Sequence, residues 1–223
     1  MNDLINRLTT FTNYSQFKDY VKNDVLPQLA TRLVEINWNE INADAIRELC
    51  HIVFFIKPYN KDLNLNDLFC AIFTSLEHNE RNTDLLSRPY GYDNTTFLGS
   101  MLRSKSIHPR AINLLLFKHR VDPIYIGGRN FRTNEVWNES ALYLICREYF
   151  CRNHNPLNRR RFGVKLHIFL DYCIQNHIDL RECLETVAID GMSALQMIQN
   201  PEHRDKIDSN QNLVRDFTHL QLI

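Results

Sequence analysis

The chain has 223 residues, 26 Lys plus Arg balanced by 26 Asp plus Glu, and a hydrophobic fraction of 44%. That is enough for one large core or two small ones. Zero net charge removes any global attraction to nucleic acid or to an anionic membrane. The longest apolar run, around Ile52-Val53-Phe54-Phe55-Ile56, falls far short of the roughly 20 residues a membrane span needs.

The opening Met1-Asn2-Asp3-Leu4-Ile5-Asn6 has no basic segment followed by an apolar one, so no cleaved secretory signal is expected. Cys50, Cys70, Cys146, Cys151, Cys173 and Cys183 sit mostly among Leu, Ile and Phe, and a chain this long needs no staples. Buried thiols in a reducing compartment are expected, which points to a soluble, cytoplasmic protein.

Few glycines and long 3.6-period apolar runs predict an all-α protein. A short helix is expected near Leu4 to Leu8, then a longer one over 15–36 with Ser15 as N-cap and Phe17, Tyr20, Val21, Leu26, Leu29 and Leu33 on its apolar face. Pro27 bends or divides it, because proline removes an amide donor and crowds the preceding turn. Ala43 to Ile56 reads as the next helix, with Ile46, Leu49, Cys50 and Val53 at core spacing and Pro58 and Asn60 as its stop. Asn66 to Leu76 is apolar on nearly all sides, which predicts full burial.

From Tyr90 onward the pattern repeats. Thr96 precedes a helix carrying Leu98, Met101 and Leu102, Pro109 marks the next start, and Ala111 to His119 forms a partner helix. After Gly127-Gly128, Trp137-Asn138-Glu139-Ser140 opens a helix with Leu142, Ile145, Cys146 and Tyr149. A loop over 153–163 leads to a helix with Leu166, Phe169, Leu170 and Cys173 on one face. Asp190-Gly191 turns the chain, Ser193-x-x-Gln196 has the form of a capping box, and Leu213, Val214, Phe217 and Leu220 outline a closing helix.

These helix pairs resemble ankyrin repeats. Thr96-Phe97-Leu98-Gly99-Ser100-Met101, Ser140-Ala141-Leu142-Tyr143-Leu144-Ile145 and Ser193-Ala194-Leu195-Gln196-Met197-Ile198 are similar to weakened copies of the family's Thr-Pro-Leu-His-x-Ala opening. Leu115-Leu116-Phe117-Lys118-His119-Arg120-Val121-Asp122 and Tyr172-Cys173-Ile174-Gln175-Asn176-His177-Ile178-Asp179 resemble its Leu-rich ending, with Arg120 and His177 where the family has glycine. The starts are 44 positions apart (96 to 140) and then 53 (140 to 193), longer than the repeat length of about 33. The resemblance covers roughly residues 88 to 200.

It implies a helical-repeat solenoid over 88–223 with insertions and a C-terminal capping helix, behind a helical N-terminal region over 1–87. Trp38-Asn39-Glu40 echoes Trp137-Asn138-Glu139, so that region holds either one decayed repeat or an unrelated helical cap. The function implied is a non-enzymatic scaffold that binds another protein through its turns and concave face. Degenerate ankyrin-like chains rich in Asn and Ile are frequent among effectors that intracellular bacteria deliver into a host cytosol, and by analogy that origin is expected.

Partner-contacting candidates on the turns are Arg88, Tyr90 and Tyr92 before Thr96, and Tyr125, Arg129, Phe131, Arg132 and Trp137 before Ser140. Arg103 and Arg147 occupy matching places late in the first helices. Aromatic and arginine side chains combine large contact area with directional polar groups, which is why they dominate many interfaces. No catalytic, cofactor or metal residue is assigned, and no cofactor is implied.

Three other readings compete. Cys146, Cys151 and His154 offer zinc-type ligands, as for an enzyme or a zinc-dependent module, without a Cys-x-x-Cys pair or an evident fourth ligand. Cys173 and His177, at i and i+4, have the spacing of a nucleophile and base, although the cysteine falls in the apolar stripe. Arg152, Arg159-Arg160-Arg161 and Lys165 make one basic stretch able to meet phosphate, an acidic protein surface or RNA, and the zero net charge favours a solubilising role.

Overall fold

The computed structural model describes residues 1–55, 64–89, 96–129 and 136–223, and these are predominantly helical. The chain forms two compact units, Met1–Arg88 and Pro89–Ile223. Among the described residues no helix is long and apolar enough to cross a membrane. The stop at Pro58 and Asn60 lies outside the described residues.

The first unit contains α1 (Asn2–Asn6), α2 (Tyr14–Tyr20), α3 (Leu26–Arg32), α4 (Ala43–Phe55), α5 (Leu65–Ser75) and α6 (Glu80–Ser87). Asparagines start most of these helices. Asn13 accepts from the N–H groups of Ser15 and Gln16, Asn42 from that of Asp44, Asn64 from that of Asn66 and Asn79 from that of Asn82. The α2 cap is therefore Asn13 and not Ser15, since the short amide side chain folds back onto the exposed N–H groups of the first turn. Pro27 divides the expected long helix. It sits in the first turn of α3, where its missing donor is harmless, and Val21–Val25 widens into a π-turn just before it.

Ile5, Val21, Val25, Leu29, Ile46, Leu49, Leu68, Phe69, Ile72 and Phe73 form this unit's core, with Trp38 buried beside them. The α5 helix is amphipathic: Leu68, Phe69, Ile72 and Phe73 are buried while Asp67, Thr74 and Ser75 face solvent. Trp38-Asn39-Glu40 forms a 3-10 turn, whereas Trp137-Asn138-Glu139 lies in a strand, so the three-residue echo has no common backbone. The α6 helix has no counterpart in the sequence reading. Its polar Glu80-Arg81-Asn82-Thr83-Asp84 stretch masks the short apolar stripe of Leu85 and Leu86.

The second unit contains α7 (Phe97–Arg103), α8 (Pro109–Asn113), β1 (Ile126–Arg129), β2 (Val136–Ser140), α9 (Ala141–Cys146), α10 (Pro156–Gln175), α11 (Arg181–Glu185), α12 (Ala194–Gln199), α13 (Arg204–Asp208) and α14 (Gln211–His219). Two rows of helices result. The α7, α9 and α12 helices pack in sequence, α8 packs on α10, and α10 packs on α14. Thr96, Ser140 and Ser193 cap the first row, accepting from the N–H groups of Gly99, Tyr143 and Gln196, and Gln196 returns a bond from the Ser193 N–H to complete the capping box.

The second row ends as regularly as the first begins. The π-turn that continues α8 (Leu114–Lys118), α10 and α14 each run into a left-handed residue, Arg120 at φ 52°, His177 at φ 52° and Gln221 at φ 58°. The next N–H then reaches back to a helix carbonyl: Val121 to Leu115 at 3.2 Å, Ile178 to Cys173 at 2.9 Å and Leu222 to Phe217 at 2.9 Å. This satisfies carbonyls that a helix end leaves open.

Of the segment over 153–163, only 153–155 is a loop. The α10 helix starts at Pro156, and Asn155 caps it by accepting from the Asn158 N–H at 2.9 Å. Asn158 and three consecutive arginines hide that start, because a run of polar side chains reads as a loop although arginine favours helical geometry. Gly163 within α10 is a point of close approach, where an added Cβ would lie 2.8 Å from Asn210 Nδ2 and 3.0 Å from the Tyr149 ring.

Candidate functional site

The α7 and α9 helices carry almost no free surface. Phe97 to Leu102 and Ala141 to Cys146 are buried throughout, and α11 packs on α9. An exposed concave face on these helices, expected from the repeat resemblance, is absent among the described residues. The surface on this side is offered by the helix ends and the turns.

There a polar cluster forms around β2 and α9. Glu139, next to the cap Ser140, is buried, and its Oε1 accepts from Arg147 Nη1 at 2.9 Å. Burial raises the Glu139 carboxyl above the ordinary carboxylate range, and Arg147 opposes part of that rise, with Arg103 acting in the same direction. The Arg147 guanidinium lies over the Tyr143 ring at 5.3 Å, and the Tyr143 hydroxyl donates to the Asp190 carboxylate. Asp190 in turn accepts from the Met192 N–H at 3.1 Å within a tight turn in which Gly191 takes φ 79°. One network thus ties strand β2, and through it the β1–β2 pair, to the turn after α11. Glu139 Oε2 and Arg147 Nε are buried within it without a hydrogen-bond partner among the described residues.

Of the expected contact residues, this cluster contains Arg147, and Arg103 reaches it electrostatically. Tyr125 is half-buried and closes over Gly127. Arg129 and Trp137 contribute backbone to β1 and β2, which pair antiparallel with an irregularity between Gly127 and Arg129. Arg88 is not on a turn of the second unit. It ends α6 and pairs with Asp84. Tyr90, Tyr92, Phe131 and Arg132 lie outside the described residues.

Sequence reasoning missed Glu139, Tyr143 and Asp190 as a group. Asp190-Gly191 was visible only as a turn, and nothing in the spacing joins positions 139, 143 and 190. It also missed exposed aliphatics on successive turns: Ile124 is 42% exposed, Val187 52% and Ile189 53%. These follow the left-handed ends at Arg120 and His177.

The competing chemistries meet different surroundings. The His154 imidazole pairs with buried Glu148 at 2.9 Å and stacks on Phe162, and Arg152 holds the other carboxylate oxygen at 3.3 Å. Cys146 is buried and Cys151 exposed, and among the described residues no three His, Cys, Asp or Glu side chains converge as for a metal. Burial pushes the Cys173 thiol up, and His177 is exposed at the left-handed position beyond α10. Comparison with protein-family models, with curated proteins and with solved structures returns no match.

Proposed function

We propose that residues 89–223 form a degenerate ankyrin-like array that holds a protein partner on the turns between its hairpins. The observation that carries this reading is a double regularity. Side-chain caps recur at Thr96, Ser140 and Ser193, and left-handed helix ends at Arg120, His177 and Gln221, with a separate row of packed helices behind each set. Hairpins of this kind complete one another's cores and leave their connecting turns outside.

Binding is by occupancy, without chemistry on the partner. Rigid turns lose little ordering entropy on association. The Glu139–Arg147–Tyr143–Asp190 network supplies that rigidity, and Ile124, Val187 and Ile189 supply apolar contact. By analogy with other degenerate ankyrin-like chains, the setting is a reducing cytoplasm, in the effector case that of a host cell.

Affinity capture with quantitative mass spectrometry tests this. A partner held by the whole chain is lost with Val187→Glu/Ile189→Glu and with Ile124→Glu, and kept with Leu157→Glu, which changes a still more exposed aliphatic on α10. Equal retention by all three variants, each folded, contradicts the reading.

A further inference from the structure

A second site lies away from those turns, between the first turns of α10 and α14, and its argument is independent of the proposed scaffold role. A groove of about 500 Å³ is lined there by Tyr149, Pro156, Arg159, Arg160, Val164 and residues 209–212. Its lining contains no carboxylate. The cations are also free of acidic partners. Arg147, Arg152, Arg181, Arg204 and Arg215 in this unit all pair with Asp or Glu, but neither Arg159 nor Arg160 has a carboxylate within ion-pair distance among the described residues. Arg159 Nε is buried with no hydrogen-bond partner.

The opposite wall is the start of α14. Asn210 caps it, accepting weakly from the Leu213 N–H at 3.5 Å, while the N–H groups of Gln211 and Asn212 have no acceptor within the helix. The positive end of the helix and two guanidinium groups therefore bound one cavity from two sides. Gly163 permits this closeness, since any side chain there would push Asn210 and Tyr149 away.

We propose that this groove binds a phosphate monoester. A tetrahedral dianion offers enough acceptor oxygens for a guanidinium on one side and helix amides on the other, and Val164 and Pro156 give the attached carbon skeleton an apolar margin. The groove's size admits a phosphorylated small molecule or a phosphorylated side chain of a protein.

Calorimetric titration of the full chain at low salt tests the assignment with inorganic phosphate, phosphoserine, and a short peptide with and without phosphoserine. Saturable binding is expected. Arg160→Gln should weaken it about tenfold or more, the loss of one charge-assisted contact. Arg161→Gln, which removes the same charge from a neighbouring, likewise exposed position that does not line the groove, should change it by less than about twofold. Binding to phosphoserine or inorganic phosphate as tight as to the peptide identifies a small-molecule source. Tighter binding to the phosphorylated peptide than to its unmodified form or to phosphoserine identifies a protein source. No saturable binding to any probe overturns the proposal, as do equal losses in Arg160→Gln and Arg161→Gln. Single-stranded RNA bound more tightly than every phosphate probe also overturns it, because that would mark an extended basic strip.

Discussion

The two units solve the same problem, burying short helices, with different materials. Among the described residues of Met1–Arg88 the core is almost wholly apolar. Its polar bonds lie mainly at the rim, where asparagines cap helices and tie neighbours, as when Asn39 joins the Ser75 carbonyl to the Glu77 N–H. In Pro89–Ile223 charged groups go inside: Lys165, Glu139, Glu148 and Asp216 are all buried. The lesson concerns specificity. Apolar helices can slide past one another at little cost, whereas a buried charge accepts only the arrangement that supplies its partner.

The contrast breaks most sharply at Asp216. It is almost fully buried on α14, accepts from His167 Nδ1 of α10 at 2.6 Å and meets Arg215 at 3.2 Å. Asp216→Ala is expected to cost about 3–5 kcal/mol in denaturant unfolding, since it strips the partner from a half-buried imidazole and leaves a cavity. Exposed Asp24→Ala in the first unit should stay within about 0.5 kcal/mol.

Lys165 sharpens the contrast through pH. Its Nζ donates to the carbonyls of Met101, at 2.9 Å, and Ser104, and so closes the end of α7. Burial lowers its pKa from 10.5 to about 7, with Arg161 adding to the effect. Between those values the unfolded chain binds more protons than the folded one, so stability rises as pH rises from about 7 toward 10.5, and the cost of burying the cation is fully present below that window. Unfolding titrations should show this rise in the wild type and lose it in Lys165→Met.

Much of this organisation was legible in the sequence, and the exceptions share a cause. Thr96, Ser140 and Ser193 could be read as caps because a cap is local: a hydroxyl and the amide three residues on. Arg120 and His177 could be read as helix ends because they stand where the ankyrin-like ending they resemble has glycine. The start of α10 was missed because arginines are good helix formers that mimic a polar loop, and α6 because its apolar stripe is two residues long. The site itself was largely hidden. The Tyr143–Asp190 bond spans 47 positions and the Lys165–Met101 bond 64, and side-chain periodicity carries no such information.

Smaller effects compare the caps. Ser140→Ala and Asn79→Ala should each cost about 1 kcal/mol, because either removes one acceptor for a helix N–H. Ser140→Ala should be the worse of the two, since Ser140 is buried and its hydroxyl also reaches the Cys183 carbonyl at 3.4 Å. A larger loss for Asn79→Ala, by urea denaturation, would reverse the ranking of the two units.

The array account is tested most directly by glycine at the left-handed ends. Arg120, His177 and Gln221 hold a backbone that costs a side-chain-bearing residue about 1 kcal/mol and glycine nearly nothing. Arg120→Gly and His177→Gly should each raise unfolding free energy by up to about 1 kcal/mol, while Arg160→Gly inside α10 lowers it by about 1 kcal/mol. Losses at Arg120 and His177 as large as that at Arg160 would contradict the shared hairpin ending on which the array rests.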